Sequence, residues 1–257
     1  MAEPVLAVTR LAGTAADGVL LVVGPSLGTA VGTLWGPCAA QLAGVEVVGW
    51  DLPGHGLSRP AAEGFTVKDL AASVRAVADA AAAGRPAAYA GVSLGGAVAF
   101  ELGLDPGPYR AVAAVAAASR FGEASSWTER AELVRKAGTQ VMVAGSSQRW
   151  FAPGFMERDG DTAGRLRQTL SDADAESYSL ACEALAQFDR RPDLGRITVP
   201  FLLGPGEHDG VVPPARAQQD ADAIPGSALQ ILAGCGHLPP AESPSAVAQA
   251  LTGFFAL

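Results

Sequence analysis

The stretch Ala87–Leu104, AAYAGVSLGGAVAFELGL, decides how the chain reads. It starts as an apolar run, passes through Gly91-Val92-Ser93-Leu94-Gly95, and continues as an unbroken series of small and apolar residues. That pattern predicts a strand, a sharp turn and a helix, with Ser93 at the tip. A side chain two positions to either side of the tip would collide with the neighbouring strand or helix, and glycine at 91 and 95 removes both collisions. The strained turn lifts the serine hydroxyl clear of the sheet edge, while the first N–H groups of the helix point at negative charge developing beside it. Ser93 is therefore the candidate nucleophile.

With 31 glycines in 257 residues the G-x-S-x-G pattern alone decides little, and the chain carries a second copy, Gly24-Pro25-Ser26-Leu27-Gly28. This copy also follows an apolar, strand-like run, Val19 to Val23. The two differ in what comes next. Ser26 leads into a segment interrupted by Gly28, Gly32, Gly36 and Pro37, whereas Ser93 leads into a run long enough for three helical turns.

On the N-terminal side of the elbow, Val5 to Ala12 and Val19 to Val23 read as two strands that pair through a turn at Ala16-Asp17-Gly18. Val45 to Trp50 is a third strand, ending in the Gly- and Pro-rich turn Asp51 to Gly56. Thr66-Val67-Lys68-Asp69 predicts a capping box, and the apolar spacing of Val67, Leu70, Val74, Val77 and Ala81 carries a helix to Gly84 and Pro86. Beyond the elbow, Ala111 to Ala117 is another continuous apolar strand. Strands apolar on both faces and separated by helices predict an α/β fold with a mostly parallel twisted sheet flanked by helices.

The alternation stops between about residues 120 and 190. Trp127 to Lys136, Gln140 to Ala144, Asp161 to Leu170 and Ala173 to Phe188 read as helices with charged faces and no strand among them. The expected division is a core from 1–119 and 191–257 with a helical cap from 120–190. Strand and helix resume at Val199 to Leu203, Pro213 to Ala223, Leu229 to Leu232 and Pro244 to Phe255.

The three histidines are unequal candidates for a base. His55 sits in the turn after the third strand and reads as a solvent-facing or turn-stabilising residue, and His208 beside Asp209 reads as incidental. His237, in the loop Gly234-Cys235-Gly236-His237 after the last strand, lies where the sheet ends converge on Ser93. A carboxylate that orients it should leave the preceding strand, which selects Asp209, with Glu207 as the rival. In this order Ser93 would attack an acyl carbon, His237 would take its proton, and Asp209 would hold the imidazole tautomer. Two backbone donors for the oxyanion are expected at Leu94 and, in the loop after the second strand, at Leu27, with Ser26 as its neighbour.

A net charge of −8 with 18 Lys and Arg argues against nucleic acid and anionic membrane surfaces as partners. The N-terminal MAEPVLAVTR lacks the pattern of a signal peptide, and no apolar run approaches the ~18 residues of a membrane span. Cys38, Cys182 and Cys235 form neither a metal spacing nor an even disulfide set, which fits a reducing, cytoplasmic setting.

The order Ser93, Asp209, His237 is that of α/β-hydrolase triads, and the chain resembles that superfamily throughout. Within it, the chain is similar to 3-oxoadipate enol-lactonases. The run Ser26-Leu27-Gly28-Thr29 with Trp35 a few residues on, Arg149-Trp150-Phe151 in the insertion, and Asp209 to Pro214 carry this likeness. Pro25 stands where that family usually has Asn, Leu52-Pro53-Gly54 replaces a common Arg-Gly pair, and the early chain is short by about one edge strand. The resemblance implies hydrolysis of a small carboxylate-bearing enol-lactone in aromatic-acid breakdown, with no cofactor and no metal. It also implies that Arg149 meets the carboxylate and Trp150 packs against the ring. The same triad would serve a carboxylesterase, a thioesterase or a carbon–carbon bond hydrolase. A binding protein that has lost its chemistry is a further alternative on this fold.

Overall fold

The computed structural model describes residues 3–14 and 18–256. Of the turn expected at Ala16-Asp17-Gly18, Ala16 and Asp17 lie outside the described residues. Among the described residues, the strands are β1 (Val8–Ala12), β2 (Val19–Gly24), β3 (Val45–Trp50), β4 (Ala87–Val92), β5 (Tyr109–Val115), β6 (Phe201–Gly204) and β7 (Ala228–Leu229). They form one sheet in the order β1-β3-β2-β4-β5-β6-β7, parallel throughout except for the β1–β3 pair.

The expected pairing of the first two strands does not occur, because β3 lies between them. Both edges of β2 are taken by parallel neighbours, β3 and β4. Its residues from Leu20 onward are fully buried, whereas β1 is only partly buried, as an edge strand should be. An ion pair favours this placement: Arg10 on β1 meets the buried Glu46 of β3 at 2.9 Å, and Arg85 closes on the other oxygen of Glu46 at 2.5 Å.

The helices of the sheet layer are α1 (Val31–Ala39), α2 (Val67–Ala82) and α3 (Leu94–Leu104). In α2 the capping box is present: Asp69 N–H donates to Thr66 Oγ1 at 3.1 Å, and Thr66 N–H donates to Asp69 Oδ2 at 2.8 Å. The helix stops where Ala83 and Gly84 take positive φ. The start of α1 is held from a distance, since Val31 N–H donates to Asp51 Oδ1 at 2.7 Å while Leu57 N–H donates to Oδ2 at 2.9 Å. One carboxylate at the end of β3 thus fixes both a helix start and the turn that follows the strand.

From Leu94 to Gly103, α3 is buried on every side, which accounts for its lack of a polar face. Tyr89 and Tyr109 pack edge to face at 5.6 Å beneath it, with their hydroxyls donating to Gly95 O and Val74 O. Phe100 meets Phe201 of β6 at 5.1 Å. The core therefore runs continuously from β2 to β6 under the elbow.

Between β5 and β6 the chain forms α4 (Ala124–Ala137), a 3-10 turn at Thr139–Met142, α5 (Val143–Trp150), α6 (Phe155–Arg158), α7 (Gly160–Asp172) and α8 (Ala175–Ala186). The helix expected at Gln140 to Ala144 is displaced: its first part tightens into the 3-10 turn, and the α-helix runs on to Trp150. The short helix α6 had no sequence counterpart. Arg135 of α4 reaches Glu176 and Glu183 of α8 at 2.8 and 2.6 Å, joining the first and last helices of the insertion.

The insertion is fastened to the sheet layer at several points. Asp174 N–H donates to Gly54 O at 2.9 Å, Ala61 N–H donates to Ser177 Oγ at 2.9 Å, and Arg190 N–H donates to Ser119 O at 2.8 Å. The chain closes with α9 (Pro214–Ala223), α10 (Pro239–Glu242) and α11 (Pro244–Phe255). Buried Asp220 of α9 accepts from Ser119 N–H and Ser119 Oγ, each at 2.7 Å, and so ties the start of the insertion to the late core. The strand expected from Leu229 to Leu232 shortens to two residues, with Leu232 keeping an isolated bridge to Gly206.

Candidate active site

At the end of β4 the backbone of Ser93 takes φ 55° and ψ −110°, a left-handed conformation strained for a residue with a side chain. It is held there from both sides: Ser93 N–H donates to Val115 O at 3.0 Å, and Gly95 N–H donates to Pro25 O at 2.9 Å. A Cβ at position 95 would stand 2.7 Å from Pro25 O, and one at position 91 would run into the carbonyl of Gly95. Both glycines are therefore required by close backbone approach, as expected.

The loops after β6 and β7 are zipped together: Glu207 N–H donates to Leu232 O at 3.0 Å and His208 N–H to Cys235 O at 2.8 Å. This zipper brings Asp209 to His237, and His237 Nδ1 lies 2.8 Å from Asp209 Oδ2 with both side chains buried. The second oxygen of Asp209 accepts from Val211 N–H at 2.7 Å and Val212 N–H at 2.9 Å, so the carboxylate is fixed from its own loop. Glu207, the rival, is exposed and accepts from Gly234 N–H at 2.8 Å, away from the imidazole. His208 is exposed as well.

His55 is a turn-stabilising residue and not a solvent-facing one. Its Nδ1–H donates to Pro53 O at 2.9 Å, its ring stacks on Tyr178 at 6.0 Å, and Nε2 has no partner among the described residues. Burial lowers its pKa to about 4, against backbone and Asp174 contributions that raise it.

Ser93 and His237 face one cavity of about 150 Å³. The sheet layer contributes Ser26, Leu27 and Val211 to its wall, and the insertion contributes Trp127, Arg130, Ser146, Arg149, Trp150 and Tyr178. It lies below the ~300–1,000 Å³ typical of small-molecule sites, which favours a compact ligand.

Around Ser26 a tight turn is closed by Thr29: Thr29 N–H and Thr29 Oγ1 donate to Ser26 O, and Ser26 N–H donates to Thr29 Oγ1 at 3.1 Å. Trp35 Nε1–H donates to Gly24 O at 2.8 Å and braces the same turn from α1. Leu27 sits on the cavity side of this turn. Leu94 packs its side chain into the core and opens α3, so its N–H has no partner within the helix by position.

Arg149 is exposed at the cavity rim, and Trp150 is buried, with its ring edge-on to Phe151 at 6.2 Å. The carbonyl of Trp150 accepts from His237 N–H at 2.7 Å, so this residue also anchors the histidine loop. Partial burial and the neighbouring Arg130 lower the pKa of Arg149. Arg130 lies 4.6 Å over the ring of Trp127. Among the described residues neither Arg130 nor Arg149 pairs with a carboxylate; Arg158, Arg165 and Arg167 of the insertion also lack such a bridge, but only Arg130 and Arg149 among these line the cavity that holds Ser93.

Arg130, Trp127, Ser146 and Tyr178 escaped sequence reading. Trp127 and Arg130 are three apart on α4 and share a face, but Arg130 looks like any other charge on a helix that also carries Glu129, Glu132, Arg135 and Lys136.

The comparisons with known proteins agree with this architecture. A model described as the alpha/beta hydrolase family matches residues 15–250. The chain is 33% identical over 236 residues to 3-oxoadipate enol-lactonase 2 of Acinetobacter baylyi, covering 90% of this chain and 86% of that protein. It is 30% identical to a pimeloyl-[acyl-carrier protein] methyl ester esterase of Xanthomonas oryzae pv. oryzae, covering 80% and 83%. Among solved structures, the enol-lactonase from Burkholderia xenovorans LB400 superposes with a TM-score of 0.91 at 28% identity, covering 98% of this chain and 96% of that one. With a mostly parallel sheet, a serine elbow after β4 and a family match over nearly its whole length, the chain belongs to the alpha/beta hydrolase family.

Proposed function

We propose that the chain is a serine hydrolase that opens a small, carboxylate-bearing lactone, with 3-oxoadipate enol-lactone as the candidate substrate. The observation that carries this reading is the pair of guanidinium groups, Arg130 and Arg149, without acidic partners among the described residues, beside a small cavity that also holds Ser93 and His237. Two uncompensated cations at a half-buried site call for an anionic ligand. The enol-lactonases among the relatives support the same chemistry. The small cavity argues against a long acyl chain lying wholly inside it.

In this mechanism Ser93 Oγ attacks the lactone carbonyl carbon and passes its proton to His237 Nε2. Asp209 holds the opposite ring nitrogen as the donor and stabilises the imidazolium. The tetrahedral oxyanion is met by the N–H groups of Leu94 and Leu27, and the dipole of α3 points the same way. Collapse breaks the ring C–O bond, and the departing enol oxygen takes the proton from His237. The enol then becomes a ketone while the acyl group stays on Ser93. Water deprotonated by His237 releases the product, in a step of aromatic-acid breakdown. Residues 1–119 and 191–257 supply the reacting groups, and residues 120–190 act as the cap that reads the substrate's charge through Arg149 and Arg130, with Trp150 and Ser26 walling the ring.

The test is turnover of the enol-lactone, a neutral aryl ester and an acyl-thioester by wild type and Arg149→Ala. Loss of a charge-assisted contact worth about 1.5–3 kcal/mol lowers kcat/KM by ~10–100-fold on the carboxylate-bearing substrate and leaves the neutral ester nearly unchanged. Equal loss on every substrate would make Arg149 a structural residue and leave a general esterase as the reading.

A further inference from the structure

We propose that Glu242 is a positioning residue for His237: a buried carboxylate that clips the histidine loop to the segment following Trp150. The proposal rests on the hydrolase reading above, since it assigns Glu242 a task only if His237 moves protons.

Glu242 ends α10 and is 7% exposed, yet among the described residues no Lys or Arg pairs with it. Its partners are backbone N–H groups. Oε2 accepts from Ala152 at 2.7 Å and from Gly236 at 3.1 Å, while Oε1 accepts from Gly236 at 3.0 Å and from Leu238 at 3.1 Å. The donors at 236 and 238 flank the histidine, whose own N–H donates to Trp150 O at 2.7 Å. Three consecutive N–H groups of the loop are therefore held, two by Glu242 and one by the insertion. Ala152, the residue after Phe151, adds a fourth bond that locks the insertion to the same carboxylate.

The packing leaves no slack at this junction. A Cβ at Gly236 would lie 2.7 Å from both Trp150 O and Ala152 N. An ionised carboxylate suits the place because it accepts on both oxygens and carries no hydrogen to misplace among three donors. Desolvation raises its pKa, and the three N–H bonds and the His237 charge oppose that rise. A group bearing such a burial cost for bonds to one loop and one cap segment fixes the distance between them. Holding the 236–238 backbone fixes where the imidazole stands relative to Ser93, and a misplacement of ~1 Å between reacting groups can cost about 100-fold in rate.

The experiment compares wild type, Glu242→Gln, Glu242→Asp and Glu207→Gln, the last removing an exposed carboxylate that accepts from the same loop at Gly234. Each is assayed for hydrolysis of 4-nitrophenyl acetate, for the rate at which a neutral fluorophosphonate labels Ser93, and for its melting temperature. In Glu242→Gln an amide NH₂ faces the N–H donors. The expected result is a fall of ~10–100-fold in kcat and in labelling rate, with KM within about twofold. The shorter Asp side chain keeps the charge and recovers part of the loss, which also covers the case in which the Gln variant fails to fold. Glu207→Gln stays at wild-type rates. Wild-type kcat and labelling in Glu242→Gln, with only a lower melting temperature, would overturn the proposal and leave the hydrolase reading standing. A wild-type protein not labelled at Ser93 would remove both.

Discussion

Ser93 and Ser26 occupy the same five-residue pattern and line the same cavity, yet only Ser93 has the positive φ of an elbow, followed at once by a helix. Ser93→Ala is expected to lower kcat/KM on a neutral aryl ester by ~10⁴–10⁶-fold, while Ser26→Ala stays within about tenfold. A reversed ranking would move the nucleophile to the other copy. Ser93, Asp209 and His237 could be picked out as candidates because each depends on features local to its own loop: flanking glycines, a strand end, a Gly-rich turn. Arg130 and Glu242 were not legible for the opposite reason. Their significance lies in what the rest of the fold brings to them: a shared cavity wall for Arg130 and, for Glu242, the N–H of Ala152 arriving from 90 residues away to join two from the adjacent histidine loop.

Among the elements, α2 is the one whose start the sequence specifies most locally. Thr66→Ala removes the acceptor for Asp69 N–H and should cost about 1 kcal/mol, seen as a fall of ~2–4 °C in melting temperature with turnover unchanged. A drop in kcat would mean that α2 acts on the elbow through α3, against which it packs. Strand β3 coincides with its expected bounds because Gly44 and the turn from Asp51 to Gly56 punctuate its two ends. Pairing partners were harder. The apolar runs of β1 and β2 say that each is a strand, but not that β3 would come between them; the Arg10–Glu46 contact that accompanies the pairing spans 36 residues of chain. In the insertion, helices were recognisable by their spacing, while the 3-10 turn at Thr139–Met142 and the four-residue α6 are too short to carry a period.

For the molecule as a whole, His55 links stability to pH. Its ring, with ordinary pKa 6.5 and folded pKa lowered to about 4, is kept neutral by burial. Its contribution is complete above about pH 6.5 and is lost as pH falls toward about 4, where it has cost about 3 kcal/mol. Asp51, Glu101 and Glu242, whose carboxyl pKa values are raised by burial, act in the opposite direction as they take up protons. The contribution is therefore read as a difference: His55→Asn keeps an N–H for Pro53 O and should melt with a shallower pH dependence than wild type between about pH 6.5 and 4.5. Parallel curves would show that the ring is not held neutral.

The bond from Arg190 N–H to Ser119 O makes the 70 residues between them a loop whose two ends meet. Ser93, Asp209 and His237 all lie outside that neck. If the proposed function holds, a foreign segment spliced between 119 and 190 would inherit the proposed reacting groups and bring its own choice of molecule, much as a tool holder accepts different bits. Besides the contacts at Gly54, Ala61 and Ser119, the graft must meet a condition that its own sequence would never announce: where it passes the histidine loop, it has to present a carbonyl to position 237 and an N–H to position 242.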